Sequence, residues 1–342
     1  MKYKAGWLTI NRACNIRCKW CYAQGTGFNK KDDIDINLAY NLIDIFKDLD
    51  LKSVCLLGGE PTLYDKLPEL LQYIKSKGMK STIITNGILL SNEEYLNKLL
   101  EYGLNNIVIS LKAENTEKYH ELTQSNDFEK VIKAIKICSQ KKVNLSVSTV
   151  LTKENINSYT EGILNAKKAG AKRFNLSFCY EFNINKEYND YLKRMHPKEI
   201  IKGFINSYEE LDKITNHNFK LFQTYPLCLW DKNFIKKLDS KKQISSICQL
   251  LKRSGLLFDT KGNIIPCNAM YEIKLGQYGV DFNNKKELLE HVNNSKITKV
   301  YDKFCSVPDE KCLLCKSLSN CGGGCVCQWT NYNYKELMSK EK

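Results

Sequence analysis

The chain has 342 residues, of which 43% are hydrophobic and 26% charged, so it can bury a sizeable core and is not a disordered protein. Its 52 Lys and Arg residues outnumber its 38 Asp and Glu residues, which gives a formal net charge of +14. Only five of the 52 are Arg, the residue whose planar fork matches phosphates and base edges. The charge therefore disfavours nucleic acid as a partner. Two explanations of the Lys-rich composition remain open: the codon bias of an AT-rich genome, and an acidic partner such as an anionic peptide.

No stretch of 18 uninterrupted apolar residues occurs, and the N-terminal segment lacks the apolar core of a signal peptide. We therefore expect a cytosolic protein without membrane contact. Its 15 cysteines are then not a disulfide framework, because cytosolic thiols stay reduced. So many cysteines in a reducing compartment indicate metal binding.

Residues 5 to about 180 alternate between β-rich and helical segments. Strands are predicted at Trp7–Ile10, Ser53–Leu57, Ser81–Thr85, Asn106–Ser110, Asn144–Val150 and Phe174–Phe178. Helices are predicted between them, including Asn37–Leu49, Phe128–Cys138 and one that follows a capping box of Ser91 and Glu94. Such βα repeats imply a parallel sheet with right-handed crossovers, either doubly wound or closed as a barrel.

The faces of the late strands distinguish these two architectures. Asn175, Ser177 and Cys179 share one face of the sixth strand, and Ser146 and Ser148 share one face of the fifth. A doubly wound sheet buries both faces, and a closed eight-stranded barrel fills its lumen with bulky side chains. The pattern therefore predicts an α/β fold with a partial (β/α)6 barrel, whose lumen is wet or holds a ligand and receives Cys179.

Three domains are expected. The barrel takes residues 1–205, and a Lys- and Asn-rich helical bridge takes residues 206–247. A Cys-rich domain takes residues 248–342 and begins with a hairpin that turns around Gly262.

Three cysteines, Cys14, Cys18 and Cys21, follow the first strand, at the end where α/β barrels carry their chemistry. Three thiolates this close together can hold a soft metal centre. A [4Fe–4S] cluster with three protein ligands leaves one iron free to bind a substrate or cofactor. The alternatives are a zinc site with a distant fourth ligand and a redox pair.

This CxxxCxxC spacing, with the aromatic Trp20 before the last cysteine, resembles the radical S-adenosylmethionine (SAM) superfamily. The resemblance covers residues 7 to about 180. It implies that the open iron binds SAM, and that an electron from the cluster cleaves SAM to a 5′-deoxyadenosyl radical. That radical abstracts a hydrogen atom from the substrate, and the protein orients the cofactors.

Further motifs similar to those of this superfamily end the second, third and fourth predicted strands. Gly58-Gly59-Glu60-Pro61 resembles its GGE motif, which would hold the SAM amino group, and Thr85-Asn86-Gly87 resembles its TNG motif. Each motif alone is a common turn, but their order along the chain is specific. The SAM contacts that the resemblance implies are Trp20, Gly58, Gly59, Glu60, Pro61, Thr85, Asn86 and Ser110.

Nine further cysteines lie in the last third of the chain, spaced like the SPASM domain. That C-terminal extension holds up to two auxiliary [4Fe–4S] clusters. The resemblance implies an inner cluster on Cys248, Cys267, Cys325 and Cys327. It implies an outer cluster on Cys312, Cys315 and Cys321.

The fourth ligand of the outer cluster is not fixed, because no cysteine follows Cys327. Cys305 is preferred and Cys228 is the alternative, while a zinc ribbon remains an alternative for the whole group. Cys55 and Cys138 are expected to be buried structural thiols.

The resemblance implies an enzyme that modifies a side chain of a ribosomally made peptide or protein. Oxidative carbon–carbon or thioether cross-linking is favoured over epimerisation, in which Cys179 would donate a hydrogen atom. A branch that makes formylglycine is disfavoured, because Asn268 stands where that branch has a general-base Asp.

The rivals are a tRNA- or small-molecule-modifying radical SAM enzyme and a non-catalytic iron–sulfur electron carrier. An electron carrier has no use for a SAM pocket. The implied partners are a peptide or protein substrate and an electron donor such as flavodoxin or ferredoxin. Because no leader-binding domain precedes the first strand, we expect a partner protein or the barrel itself to recognise the substrate.

Overall fold

The computed structural model of the protein describes residues 3–23, 32–179, 196–222, 225–245, 248, 250–304 and 307–326. Its strands are β1 Ala5–Asn11, β2 Ser53–Gly58, β3 Lys80–Thr85, β4 Leu104–Ser110, β5 Asn144–Leu151, β6 Phe174–Phe178, β7 Phe219–Phe222, β8 Ile244–Ser245 and β9 Gly255–Phe258. Its α-helices are α1 Ile36–Asp48, α2 Leu67–Ser76, α3 Glu93–Glu101, α4 Thr116–Thr123, α5 Phe128–Gln140, α6 Tyr159–Lys168, α7 Pro197–Ile214, α8 Lys232–Ser240, α9 Lys285–Val292, α10 Ser295–Phe304 and α11 Leu318–Cys321. Short 3-10 helices lie at Pro61–Leu63, Leu89–Ser91, Leu227–Leu229, Asn268–Met270 and Glu310–Leu314.

The strands form one parallel sheet in the order β8-β7-β6-β5-β4-β3-β2-β1-β9. The first six strands follow one another without the reversal that marks a doubly wound sheet. The predicted partial barrel is therefore confirmed, and each of the six predicted strands lies within two residues of its observed bounds. Three further strands extend the sheet beyond these six: β7 and β8, which were not predicted, and β9, which is the first arm of the predicted hairpin.

The two faces of the sheet differ as the strand pattern predicted. On β5, Leu145, Val147 and Leu151 are buried under the helices, while Ser146 and Ser148 on the other face are only half-buried. Burial of each such apolar side chain contributes roughly 1.5–3 kcal/mol to stability. The helix-covered face therefore holds the core, and the concave face is left for a ligand.

The segment 206–247, which was expected to be helical, contains β7 and β8 as well as helices. β7 pairs with β6, and β8 pairs with β7. These strands have only four and two residues, so their period-2 pattern is too short to stand out among the surrounding lysines. This part of the chain is a continuation of the sheet.

The predicted hairpin around Gly262 is present. Phe258 bridges Ile264 in antiparallel fashion, and Gly262 closes the turn with φ +77°, a left-handed value that favours glycine. The first arm of this hairpin is β9, which also pairs in parallel with β1. The hairpin therefore joins the C-terminal region directly to the barrel sheet.

Two local expectations need correction. The N-cap of α3 is Asn92, whose side chain accepts a hydrogen bond from Tyr95 N, and Ser91 instead donates to Ile88 O. Cys138 is fully buried as expected, but Cys55 is only half-buried. Within the part of the chain that the structure describes, no helix is long and apolar enough to cross a membrane.

Candidate functional site

A cavity of about 350 Å³ opens at the C-terminal ends of the barrel strands. Most of the residues predicted from the three-cysteine motif and its companion motifs meet at this cavity. They are Cys14, Cys18, Trp20, Cys21, Gly58, Gly59, Glu60, Thr85, Asn86, Ser110 and Cys179. Pro61 lies outside the lining and begins the 3-10 helix that follows Glu60.

The loop with the three cysteines is held on the end of α4. Arg17 N donates to Thr123 O at 2.8 Å, and Lys19 N donates to Leu122 O at 3.0 Å. The Arg17 guanidinium donates to Cys14 O at 2.7 Å, and Cys21 N donates to Cys18 O at 3.0 Å. These bonds fix the backbone from which the thiols project into the cavity.

Two glycines at the end of β2 allow the loop after β2 to pack against the three-cysteine loop after β1. A Cβ on Gly58 would lie 2.4 Å from Asn11 O, and a Cβ on Gly59 would lie 2.1 Å from Ala13 O. Gly59 N donates to Asn11 O at 3.0 Å, and Glu60 N donates to Ala13 O at 2.7 Å. The glycines are therefore required by the close approach of two backbones, one of which leads directly into Cys14.

The carboxylate of Glu60 is buried at the wall of the cavity. Its Oε1 accepts hydrogen bonds from Thr62 N at 3.1 Å, Thr62 Oγ1 at 2.7 Å and Thr85 Oγ1 at 2.5 Å, and its Oε2 accepts one from Asn86 N at 2.6 Å. Burial raises the pKa of Glu60, and these donors oppose the rise. Glu60 thus ties the ends of β2 and β3 together, and Asn86 extends the network by donating to Asn15 Oδ1 at 2.7 Å.

The thiols that face the cavity are poor acids as they stand. Burial raises the pKa of Cys14 and Cys18 to about 11, and it also raises the pKa of Cys21. The positive charge of Lys112 lowers the pKa of all three thiols against this rise. The positive charge of a bound metal centre would lower the pKa of these thiols and so oppose the effect of burial.

Sequence reasoning missed Lys112, which lines the cavity two residues beyond Ser110. A cation at the end of β4 could have been noticed from its spacing, since strand ends of parallel barrels carry functional groups. Ser148 and Ser177 also line the cavity, as their polar strand faces predicted, and Asn268 lines it without having been predicted to do so. Asn268 follows Cys267, so the C-terminal region contributes directly to the cavity wall.

The described C-terminal cysteines form two groups. Burial raises the pKa of Cys248 to about 12, and the charges of Cys325 and Cys267 add to that rise, which links these three thiols. Burial also raises the pKa of Cys312, to which the charges of Cys228 and Cys321 contribute.

Cys305 and Cys327 lie outside the described residues. In the described ranges, no group of three His, Cys, Asp or Glu side chains is arranged to hold a single metal ion.

Residues 8–161 match the family model of the radical SAM superfamily. GTP 3′,8-cyclase from Alkaliphilus oremlandii is 35% identical over 136 residues, which are 38% of this chain and 42% of that enzyme. The chain spans between 37% and 62% of the lengths of this cyclase and seven other curated relatives that it matches.

Two solved structures share the fold along almost the whole chain. SuiB from Streptococcus suis, bound to its precursor peptide SuiA, is 20% identical, with a TM-score of 0.72. The match covers 95% of this chain and 72% of SuiB. The enzyme anSMEcpe with bound AdoMet is 17% identical, with a TM-score of 0.69. The match covers 97% of this chain and 95% of anSMEcpe. At these identities the likeness establishes the fold. Residues 8–161 thus match the radical SAM superfamily, and the motif residues of this part of the chain gather at one cavity.

Proposed function

We propose that this protein is a radical SAM enzyme of the SPASM type, which modifies a side chain of a ribosomally made peptide. The observation that carries the proposal is the cavity itself. One wall holds the three thiols of the Cys14–Cys21 loop, and another holds Asn268, next to Cys267 of the C-terminal thiols. The cofactor site of the barrel and the Cys-rich region thus line the same cavity.

The residues present fit a three-thiolate cluster with SAM. Cys14, Cys18 and Cys21 would hold the cluster, and the positive charge of Lys112 offsets the negative charge that thiolates bring to a buried site. When bound, the cluster and SAM supply the radical that abstracts hydrogen from the substrate.

Glu60 presents carboxylate oxygens to a ligand ammonium group, and Lys112 presents an ammonium to a ligand carboxylate. Glu60 is held in place by Thr62, Thr85 and Asn86 before any ligand binds. Trp20 is buried at the cavity wall and offers a flat apolar surface to an adenine.

A peptide substrate is supported by the fold and by the cavity. SuiB, whose structure contains a precursor peptide, shares its fold with 95% of this chain. The lining is mixed, with apolar Leu57, Ile84 and Val150 beside the hydroxyls of Ser148 and Ser177, which suits an amino-acid side chain. The net charge of +14 would favour an acidic peptide.

The product favoured here is an oxidative cross-link. Forming one removes two hydrogen atoms from the peptide: the first is abstracted as an atom, and the second leaves as a proton to solvent and an electron. The two groups of C-terminal thiols would bind auxiliary clusters that receive this electron. A flavodoxin or ferredoxin would supply the electron that starts the reaction, and a separate protein or the barrel would bind the leader part of the peptide.

A second candidate is a small-molecule reaction like that of GTP 3′,8-cyclase. Its support is the 35% identity to such a cyclase over 136 residues. The stretch shared with the cyclase is 38% of this chain, and the family match ends at residue 161, so the C-terminal third with its cysteines lies outside that match. The cysteines of this C-terminal third are the reason that we favour a peptide substrate over a small molecule.

Radical SAM activity is tested by anaerobic incubation of the iron-loaded protein with dithionite and SAM. We expect 5′-deoxyadenosine from the wild type and none from Cys18→Ala, because that variant loses one of three ligands of the open-iron cluster. Cys55→Ala is the matched control, since Cys55 lies on β2 outside the cavity lining. Equal product from Cys18→Ala and the wild type would contradict the assignment.

The substrate class is tested by offering the same protein two kinds of substrate. Short peptides encoded beside this gene are incubated with the loaded enzyme and SAM, and GTP is incubated in parallel. The proposal expects a peptide that loses two hydrogen atoms by mass spectrometry and GTP that is unchanged. Consumption of GTP with unmodified peptides would establish the second candidate instead.

A further inference from the structure

The segment that carries Cys228 is firmly anchored on the barrel. Tyr225 and Trp230, which flank it, are each 4% exposed. Their rings pack on Phe178 of β6 with centroid separations of 5.1 Å and 5.7 Å. Between them the chain forms the 3-10 helix Leu227–Leu229, and the Cys228 side chain is exposed. Packing therefore fixes the backbone of Cys228 and leaves its thiol outside the core.

A turn of the C-terminal region lies directly against this segment. Gly322, Gly323 and Gly324 all have left-handed φ values, between +60° and +81°. A Cβ on Gly324 would lie 2.8 Å from Pro226, so only glycine allows the two backbones to meet there. Because this turn connects Cys321 to Cys325, the contact holds both C-terminal cysteines near the Cys228 segment.

A hydrogen bond joins the same two segments at a sulfur atom. Leu227 N donates to Cys321 Sγ at 3.3 Å. The Cα of Cys228 is about 3.8 Å from that of Leu227 along the chain. Backbone N–H groups that point at cysteine sulfur are a usual feature of thiolates that bind iron–sulfur clusters, where they tune the reduction potential. Cys228 is thus adjacent to a sulfur that is already supplied with such a donor.

The remaining thiols of this group come from the preceding turn. Cys315 N donates to Cys312 O at 3.0 Å, so these two cysteines lie at the two ends of one tight turn. Leu318 N donates to Cys315 O at 3.0 Å and Cys321 N donates to Ser317 O at 2.8 Å, so this turn leads directly into α11, which carries Cys321. Four cysteines from three separate segments therefore gather on one side of the molecule.

We propose that Cys228 is the fourth ligand of the outer auxiliary [4Fe–4S] cluster, together with Cys312, Cys315 and Cys321. The inference rests on the proposed function, in which this group of thiols binds a cluster. It assigns the ligand to Cys228 of the segment between β7 and α8 rather than to Cys305. All four irons then have protein ligands, so the outer cluster transfers electrons or supports the structure and does not bind substrate.

The first test labels the thiols of the wild-type protein with iodoacetamide under anaerobic conditions, before and after a chelator removes the iron. Mass spectrometry of peptides then measures the alkylated fraction of each cysteine. We expect Cys228 to be protected in the loaded protein and alkylated after iron removal, although its side chain is exposed in the fold. Cys305 should react to the same extent in both samples. Protection of Cys305 with free reaction of Cys228 in the loaded protein would overturn the assignment.

The second test counts iron in a variant without the first cluster, Cys14→Ala/Cys18→Ala/Cys21→Ala. Adding Cys228→Ala should remove up to about four further iron atoms per chain and change the EPR spectrum of the auxiliary clusters, while adding Cys305→Ala should change neither. Equal iron and spectra in the parent and the Cys228→Ala protein would overturn this inference and leave the proposed function standing. A parent variant without iron would instead overturn the auxiliary clusters of the proposed function.

Discussion

Gly59 shows how a single residue controls the geometry of the site. Its backbone passes so close to Ala13 that a Cβ would lie 2.1 Å from Ala13 O. The obstacle is backbone rather than a flexible side chain, so any added atom must displace the loop that carries Cys14. The glycines of this motif act on the cysteine loop in addition to any contact with a cofactor.

We therefore predict that Gly59→Ala lowers SAM cleavage strongly by displacing the Cys14 loop, with a stability loss of about 1–3 kcal/mol from overpacking. Gly279→Ala is the control, because Gly279 has a left-handed φ of +84° but open space around it. Gly279→Ala should cost about 1–2 kcal/mol through its backbone conformation and leave SAM cleavage intact. Assays of 5′-deoxyadenosine and thermal unfolding of both variants check this. Similar SAM cleavage in both variants would contradict the geometric argument.

Cys179 lines the cavity at the end of β6, as its strand face predicted. Its position is compatible with a hydrogen-atom donor, since a thiol has a weak S–H bond. A cross-linking enzyme needs no such donor, so we predict that Cys179→Ala leaves product formation largely intact. Mass spectrometry of the peptide product measures this. If the variant stalls and the wild type in D₂O places one deuterium on an α-carbon, the enzyme is an epimerase.

Among the elements, α7 is tied to the β7–β8 edge of the sheet by one buried carboxylate. Asp212 is 3% exposed, and its oxygens lie 2.5 Å from Lys241 Nζ and 2.8 Å from His217 Nδ1. Gln243 Nε2 donates to the other oxygen of Asp212, and Tyr208 donates to Gln243 Oε1 at 2.9 Å. Polar contacts therefore hold the short strands that the sequence pattern did not reveal.

Asp212 also predicts how this edge responds to acid. Burial by itself would raise the pKa of Asp212, but the hydrogen bonds from Lys241, Gln243 and His217 outweigh it and lower the pKa below the ordinary value of 3.8. A folded-state pKa below the unfolded one stabilises the fold at neutral pH, and this contribution is lost as the pH falls through the folded-state value.

We expect Asp212→Asn to lose about 1–3 kcal/mol at pH 7, because buried hydrogen-bond partners are left unsatisfied. The difference from the wild type should begin to shrink as the pH falls below 3.8 and should be smallest below the lowered pKa of Asp212, where the wild type also lacks the charge. Denaturant unfolding at several pH values measures this, with the exposed Asp239→Asn as the control. A constant difference across the pH range would show that the charge of Asp212 does not stabilise this edge.

For the whole molecule, the arrangement of cysteines predicts the iron content. One group of three thiols lies at the cavity, and two further groups lie in the C-terminal region. After anaerobic reconstitution we expect about 12 iron atoms per chain in the wild type. The variant Cys14→Ala/Cys18→Ala/Cys21→Ala should hold about two-thirds of this iron. Metal analysis of the two proteins checks this. Zinc together with only about four iron atoms would show that the C-terminal cysteines form a zinc ribbon.

The sequence by itself determined the six barrel strands, the three-cysteine loop and the polar face that carries Cys179. These features follow from local periodicity and from the rule that parallel strands place their carboxyl ends at one edge. The motifs at the ends of β1 to β4 could therefore be assembled into one site from their order along the chain.

Tertiary structure alone decided which distant segments meet. It placed Lys112 at the cavity with the thiols, paired β9 with β1, and brought the Cys228 segment beside Cys321 through the bond from Leu227, 94 positions earlier in the chain. No local pattern encodes these contacts, because they depend on packing between segments that are far apart in sequence. The sequence left the fourth outer ligand unassigned, with Cys305 preferred and Cys228 as the alternative, whereas the contact of Leu227 with Cys321 favours Cys228 through backbone geometry that the spacing does not contain.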